Sequence, residues 1–92
     1  MSEIYRALEE RMAGFAKTKD EIAARVSRFL KAELKGADVT YEDLAARLAK
    51  HGVKGETKDS IASKLKRGTF AATFLLACLA ALELKCVRLE DV

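Results

Sequence analysis

The side chains best suited to chemistry are cations, and they are concentrated between residues 50 and 68. That segment holds six Lys and Arg side chains and only two acids, Glu56 and Asp59, which gives it a net charge of +4. The whole chain carries +3, so the remaining residues together carry −1. Clustered Lys and Arg neutralise phosphate groups, which suits the segment to a polyanion such as nucleic acid. A solvated helix face has similar composition, so the surrounding elements must decide between the two.

The sequence offers little for catalysis or metal binding. His51 is the only histidine, which leaves no credible Ser-His-Asp or Cys-His arrangement. Cys78 and Cys86 lack the paired spacing of a zinc site. The acids within 38–43 fit a helix N-terminus better than a metal-dependent nuclease. We therefore expect no enzymatic activity, no metal, no cofactor and no small-molecule substrate.

Length and composition predict one all-α domain over residues 1–92. Half of the residues are hydrophobic and none is proline, which favours helices around a core. The acidic, amphipathic start is unlike a signal peptide, and two free cysteines fit the cytoplasm. The apolar run within 70–82 is shorter than the roughly 20 residues that cross a bilayer, so no membrane partner is expected.

Hydrophobic periodicity predicts about five helices. An amphipathic helix is expected over 1–17, and the core of the domain is expected over 20–84. Its first helix should begin near residue 20, after a Thr-x-x-Glu capping pattern, and end at Gly36. The two helices could also be continuous, because the apolar phase is maintained through their junction. A second capping pattern starts the next helix at Thr40, and Gly52 ends it.

The basic segment itself has the features of a short helix. Thr57 is placed to cap its N-terminus, and Gly68 is placed to end it. Ile61 and Leu65 are four apart and form its inward stripe. Thr69 is then expected to open the hydrophobic helix.

The hydrophobic helix within 70–82 is apolar on two faces. The first face is predicted to enter the core and carries Phe70, Ala71, Phe74, Leu75, Cys78 and Leu82. The second face carries Thr73, Leu76, Ala77 and Ala80. We expect a homodimer interface at Leu76, Thr73 and Ala80, and the helix over 1–17 is the alternative cover. The extension at 85–92 fits a short strand or a frayed end.

The order of these elements resembles the Cro and phage-repressor (lambda-repressor-like) type of helix-turn-helix domain. The matching stretches are YEDLAARLAKHGV, SIASKLKRGTF and FLLACLAALEL, within residues 40–84. With the helix at 20–35 as the first helix, the resemblance covers most of the chain. The helix before the turn is about one helical turn longer than usual, the turn has an added Gly55, and Lys66 stands where the family often has Glu. The chain therefore resembles a diverged branch.

The resemblance implies a small transcriptional regulator that binds double-stranded operator DNA as a dimer, with 57–67 as the recognition helix. The DNA-binding residues would be Thr57, Lys58, Ser60, Ser63, Lys64, Lys66, Arg67 and Thr69. Thr57 and Ser60 are equally suited to capping. The alternative is a protein interaction module on the same fold, acting through the N-terminal helix and the apolar second face of 70–82. RNA binding is a weaker option, because few aromatic side chains lie near the basic segment.

Overall fold

The computed structural model describes residues 14–92. Four α-helices are present in this part of the chain: α1, Lys19–Gly36; α2, Tyr41–Lys50; α3, Lys58–Arg67; and α4, Ala72–Ala81. A 3-10 turn at Leu89–Asp91 follows. The all-α prediction is confirmed. The helix predicted over 1–17 lies largely outside the described residues, and its last four positions are not helical.

The C-terminal extension differs from one of the two predictions made for it. The described residues contain no strand, and the only regular structure after α4 is the 3-10 turn. Its large apolar side chains, Val87 and Leu89, are 37% and 60% exposed. A strand needs a neighbouring strand to accept its hydrogen bonds, and an all-helical domain supplies none.

Helix starts follow the capping patterns closely. Thr18 accepts a hydrogen bond from the Glu21 main-chain N–H at 3.1 Å and caps α1. Thr40 and Asp43 form a reciprocal capping box at the start of α2. These bonds satisfy main-chain donors that have no partner within the helix, each contributing about 1 kcal/mol. Local chemistry therefore sets where α1 and α2 begin.

Helix α1 ends at Gly36, as predicted, but Gly36 does not itself adopt the left-handed conformation of a glycine C-cap. Gly36 is its last helical residue, and the left-handed residue that ends the helix is Asp38, with φ of 56°. The next residue, Val39, donates its N–H to the Leu34 carbonyl at 2.9 Å and is itself buried. Burial of Val39 stabilises this helix end and offsets the strain at Asp38. At α2 the expected glycine is used, since Gly52 has φ of 88°.

The hydrophobic helix, α4, begins at Ala72 rather than at Thr69. Its N-cap is Ala71, which forms no side-chain capping bond. Thr69 lies exposed in the connection from α3. We attribute this start to tertiary packing. Phe74 is buried in the core, and the Phe70 ring contacts the Phe74 ring edge-on, with 5.1 Å between the two centroids.

One core holds the four helices together, with α1 packed against α3 and α2 packed against both α3 and α4. Its buried members are Leu30, Leu34, Val39, Leu44, Leu48, Ile61, Leu65, Phe74, Ala77, Cys78 and Ala81. Each large member contributes about 1.5–3 kcal/mol by leaving water. Ala77 was assigned to the second face of α4 but is buried. Ala71 was assigned to the core-facing side of α4 but is exposed. Ile22, on the first turn of α1, is 45% exposed.

Candidate nucleic-acid interface

Helix α3 rests on two buried side chains and presents its other side to solvent. Ile61 is 0% exposed and Leu65 is 1% exposed, as the sequence predicted. The opposite side carries exposed Asp59, Ser63, Lys66 and Arg67. A ten-residue helix fixed along its whole inner stripe is a rigid support for polar side chains that contact a ligand.

The hydroxyl groups at the N-terminus of α3 are used for capping. Thr57 Oγ1 accepts the Ser60 main-chain N–H at 3.1 Å, and Ser60 Oγ accepts the Thr57 N–H at 2.8 Å. Ser60 Oγ also lies 2.7 Å from Glu56 Oε1, to which it donates its proton. These contacts make Thr57 and Ser60 part of the helix start, which is the capping role that the sequence also allowed.

Lys64 is charge-paired within the domain. Its Nζ donates to Glu56 Oε2, and the two side chains are only 28% and 11% exposed. The same ammonium lies 5.1 Å from the centroid of the Phe74 ring, within range of a cation–π contact. Burial alone would raise the pKa of Glu56, but hydrogen bonds from Lys64 and Ser60 and the Lys64 charge outweigh it and lower the pKa. Lys64 therefore ties the turn before α3 to the helix.

The other predicted site residues are exposed. Arg67 Nη1 donates to Ser63 Oγ at 3.0 Å, so these two side chains act together on the surface of α3. Lys58 lines a shallow cleft of 290 Å³ with Thr40, Tyr41 and Glu42 at the N-terminus of α2. The structure thus brings together the N-termini of α2 and α3, which are far apart in sequence. Thr69 lies beyond the opposite end of α3.

Sequence reasoning missed two cations, Arg28 and Lys31 on α1. They line a cleft of 520 Å³ between α1 and α3, together with Lys66 and Arg67 at the end of α3. Asp20 is the one acid on that cleft. The i, i+3 spacing of Arg28 and Lys31 showed that they share a helix face. Nothing in the sequence showed that this face adjoins the end of α3.

Two close contacts hold α1 against the end of α3. Ser27 on α1 is 7% exposed, and its hydroxyl donates to the main-chain carbonyl of Leu65. Gly68, with φ of 70°, lies so near α1 that a Cβ placed there would be 2.3 Å from the Ala23 carbonyl oxygen. Only glycine can lie this close to α1. This close packing places the basic end of α3 beside Arg28.

The cysteines and acids in the described part of the chain form no chemical centre. Burial, followed by the negative charge of Glu56, raises the pKa of the Cys78 thiol to about 12, and the Lys64 charge only partly opposes this. Cys78 is thus a core side chain, as predicted. Residues 14–92 contain no group of three or more His, Cys, Asp or Glu side chains that could hold a metal ion. None of the helices within that range is long and apolar enough to cross a membrane.

The fold and the surface define an all-α domain with a basic surface formed by α3 and α1. The model of a family described as a domain of unknown function (DUF6471) matches residues 22–87. This match covers α1 from its second turn through the end of α4, which is more than half of the chain, and the chain belongs to this family. Comparisons with curated proteins and with solved structures gave no match.

Proposed function

We propose that this protein binds double-stranded DNA through α3 and acts as a small transcriptional regulator. The observation that carries the proposal is the exposed, cationic side of a helix whose inner stripe is completely buried. The resemblance to Cro and phage-repressor type helix-turn-helix domains supports the same role, with α2 and α3 as the helix pair. Seven residues separate these helices here, so the pair is more widely spaced than the usual three- to four-residue turn.

The proposed DNA contacts divide by position along α3. Lys58 and Ser63 lie on its first and second turns, where a recognition helix approaches phosphates and base edges. Lys66, Arg67 and Thr69 lie at its far end and suit contacts with phosphate groups. Thr57, Ser60 and Lys64 support the helix through the cap and the Glu56 ion pair, so their contribution to binding is indirect.

Dimerisation through α4 is part of the proposal. Leu76 is 65% exposed, and Thr73 and Ala80 on the same helix are also exposed. A large apolar side chain flanked by small ones is suited to close packing against a symmetry-related helix. A symmetric dimer presents two α3 helices to two half-sites of a palindromic operator. The proposed location of this regulator is the cytoplasm, where the free thiols of Cys78 and Cys86 persist.

The test is a titration of a fluorescent mixed-sequence duplex at several salt concentrations. If about five phosphates are neutralised, log affinity should fall against log salt with a slope of about −4 to −5. Lys58→Gln/Lys66→Gln should weaken binding and make the slope shallower by about 2. The matched control is Lys35→Gln/Lys85→Gln, which removes two exposed charges outside the basic segment and should bind nearly as wild type. A wild-type protein that does not bind at 50 mM salt would refute the proposal.

One observation favours a second candidate, a protein interaction module on the same fold. The half-exposed Ile22 is apolar surface that neither α3 nor the proposed α4 dimer uses, and the exposed Leu76 suits contact with another protein as well as with a second copy. In that case the working surfaces are the second face of α4 and the N-terminal segment. Absence of DNA binding at low salt, together with loss of a protein complex in Leu76→Glu, would favour this candidate.

A further inference from the structure

The cleft between α1 and the end of α3 concentrates positive charge from two parts of the chain. Arg28 and Lys31 come from the middle of α1, and Lys66 and Arg67 come from the last turn of α3. In the described residues, no carboxylate forms an ion pair with any of these four cations, and Arg67 contacts only the neutral hydroxyl of Ser63. Asp20 reduces the net charge of the cleft to +3.

Four cations that lie close together with only one acid beside them repel one another. Main-chain contacts between α1 and α3 keep the two helices together despite this repulsion. The Ser27–Leu65 hydrogen bond and the close approach of Gly68 to Ala23 lie directly beneath the cleft. The carbonyl end of the α3 dipole favours nearby cations, by about 0.3–1 kcal/mol for each exposed group. The remaining repulsion would be relieved by an anion that binds in the cleft, and a chain of phosphates provides several at once.

We infer that this cleft is a phosphate-binding site for duplex DNA, in which Arg28 and Lys31 of α1 extend the phosphate contacts proposed for the end of α3. The inference rests on the proposed function. Helix α3 is ten residues, or about 15 Å, long, and the major groove is about 12 Å wide. If α3 crosses the groove, a helix of that length spans its width and brings its two ends near the phosphates of opposite strands. Lys58 is then placed at one strand, and the cleft with Arg28 and Lys31 meets the other.

Phosphate contacts position a protein on DNA without reading its sequence. The cleft should therefore add affinity equally on all duplexes and leave base preference unchanged. This predicts that Arg28 and Lys31 of α1 add to the strength and salt dependence of binding without affecting the choice of site, which the outward face of α3 sets.

The experiment compares wild type, Arg28→Gln/Lys31→Gln and the control Lys35→Gln/Lys85→Gln in the same salt titration. If two phosphates are lost, the slope should become shallower by about 1.8, with up to about a 60-fold loss of affinity at 0.1 M salt. The loss should be the same on two unrelated duplex sequences. Circular dichroism melting establishes whether each variant is folded. Because Arg28 and Lys31 are both exposed, we expect their replacement to leave the fold intact.

A substitution of opposite sign provides an independent test. Asp20→Asn removes the one carboxylate on the cleft, so it should tighten binding to both duplexes and steepen the salt dependence. If wild type binds but Arg28→Gln/Lys31→Gln matches the control, the cleft inference fails and the proposed function stands. The same is true if Asp20→Asn binds no more tightly than wild type. If wild type does not bind duplex DNA at low salt, the proposed function fails and this inference fails with it.

Discussion

The hydroxyl of Ser27 on α1 donates a hydrogen bond to the main-chain carbonyl of Leu65 on α3. That carbonyl belongs to the last turn of α3, where carbonyls have no donor within the helix. Ser27→Ala would leave it unsatisfied in a buried place, so we expect a loss of about 1–3 kcal/mol in the free energy of unfolding. Urea denaturation of wild type and Ser27→Ala measures this difference in the free energy of unfolding. Ser63→Ala, at an exposed serine of α3, should change stability by about 0.5 kcal/mol or less, and an equal effect of the two substitutions would contradict the buried bond.

Gly68 should be the least replaceable glycine among the described residues. In Gly68→Ala the new methyl group would collide with the Ala23 main chain, and the left-handed conformation adds strain. We expect a loss of about 2–5 kcal/mol in the free energy of unfolding, from overpacking and strain together. The control is Gly55→Ala, which has φ of 88° but no atom within 4 Å of the added Cβ. It should lose only about 1–2 kcal/mol, from strain alone.

The Glu56–Lys64 ion pair should make stability depend on acid pH. The folded state lowers the pKa of Glu56 below its ordinary value of 4.5, so its contribution is fully present above about pH 4.5. It is lost as pH falls through the lowered folded-state pKa. Glu56→Gln should therefore be less stable than wild type by about 1.5–3 kcal/mol at pH 7. That difference should shrink toward pH 3 in urea titrations.

The control for this prediction is Asp59→Asn, which removes an exposed carboxylate from the first turn of the same helix. Its effect on stability should be only about 0.5 kcal/mol at pH 7. A Glu56→Gln deficit that stays constant from pH 7 to pH 3 would show that the ion pair does not contribute as the structure implies.

Leu76→Glu tests the proposed dimer. A carboxylate at this 65% exposed position should be tolerated by the fold but not by an apolar interface between two copies. Sedimentation velocity should show a dimer for wild type and a folded monomer for the variant. Leu89→Glu, at a 60% exposed position on the 3-10 turn, is the matched control and should remain dimeric. A variant of Leu76 that stays dimeric, or one that no longer folds, would argue against the interface.

The ion pair also changes how DNA binding should be probed. Lys64 lies in the basic segment of the sequence, but it is paired with Glu56. Its replacement would leave Glu56 poorly compensated at 11% side-chain exposure and would disturb the start of α3. Substitutions at Lys58 and Lys66, which are exposed, separate loss of DNA contact from loss of structure.

The sequence by itself determined the four helices of residues 14–92 and most of their boundaries. The capping pairs Thr40–Asp43 and Thr57–Ser60 and the closing Gly68 act through bonds and torsions within a few residues. The inward pair Ile61 and Leu65 follows from helical periodicity alone. Local chemistry suffices for such features, because the residues that decide them are neighbours in the chain.

Only the tertiary structure decided which surfaces adjoin and which charges are free. Glu56 pairs with Lys64 because the turn folds back on α3, and Arg28 joins Lys66 because Gly68 packs against Ala23. Contacts between helices depend on how whole helices pack, which local spacing does not encode. The sequence therefore located the basic helix, whereas the packing of α1 against α3 assigned Lys64 to structural support and added α1 to the candidate interface.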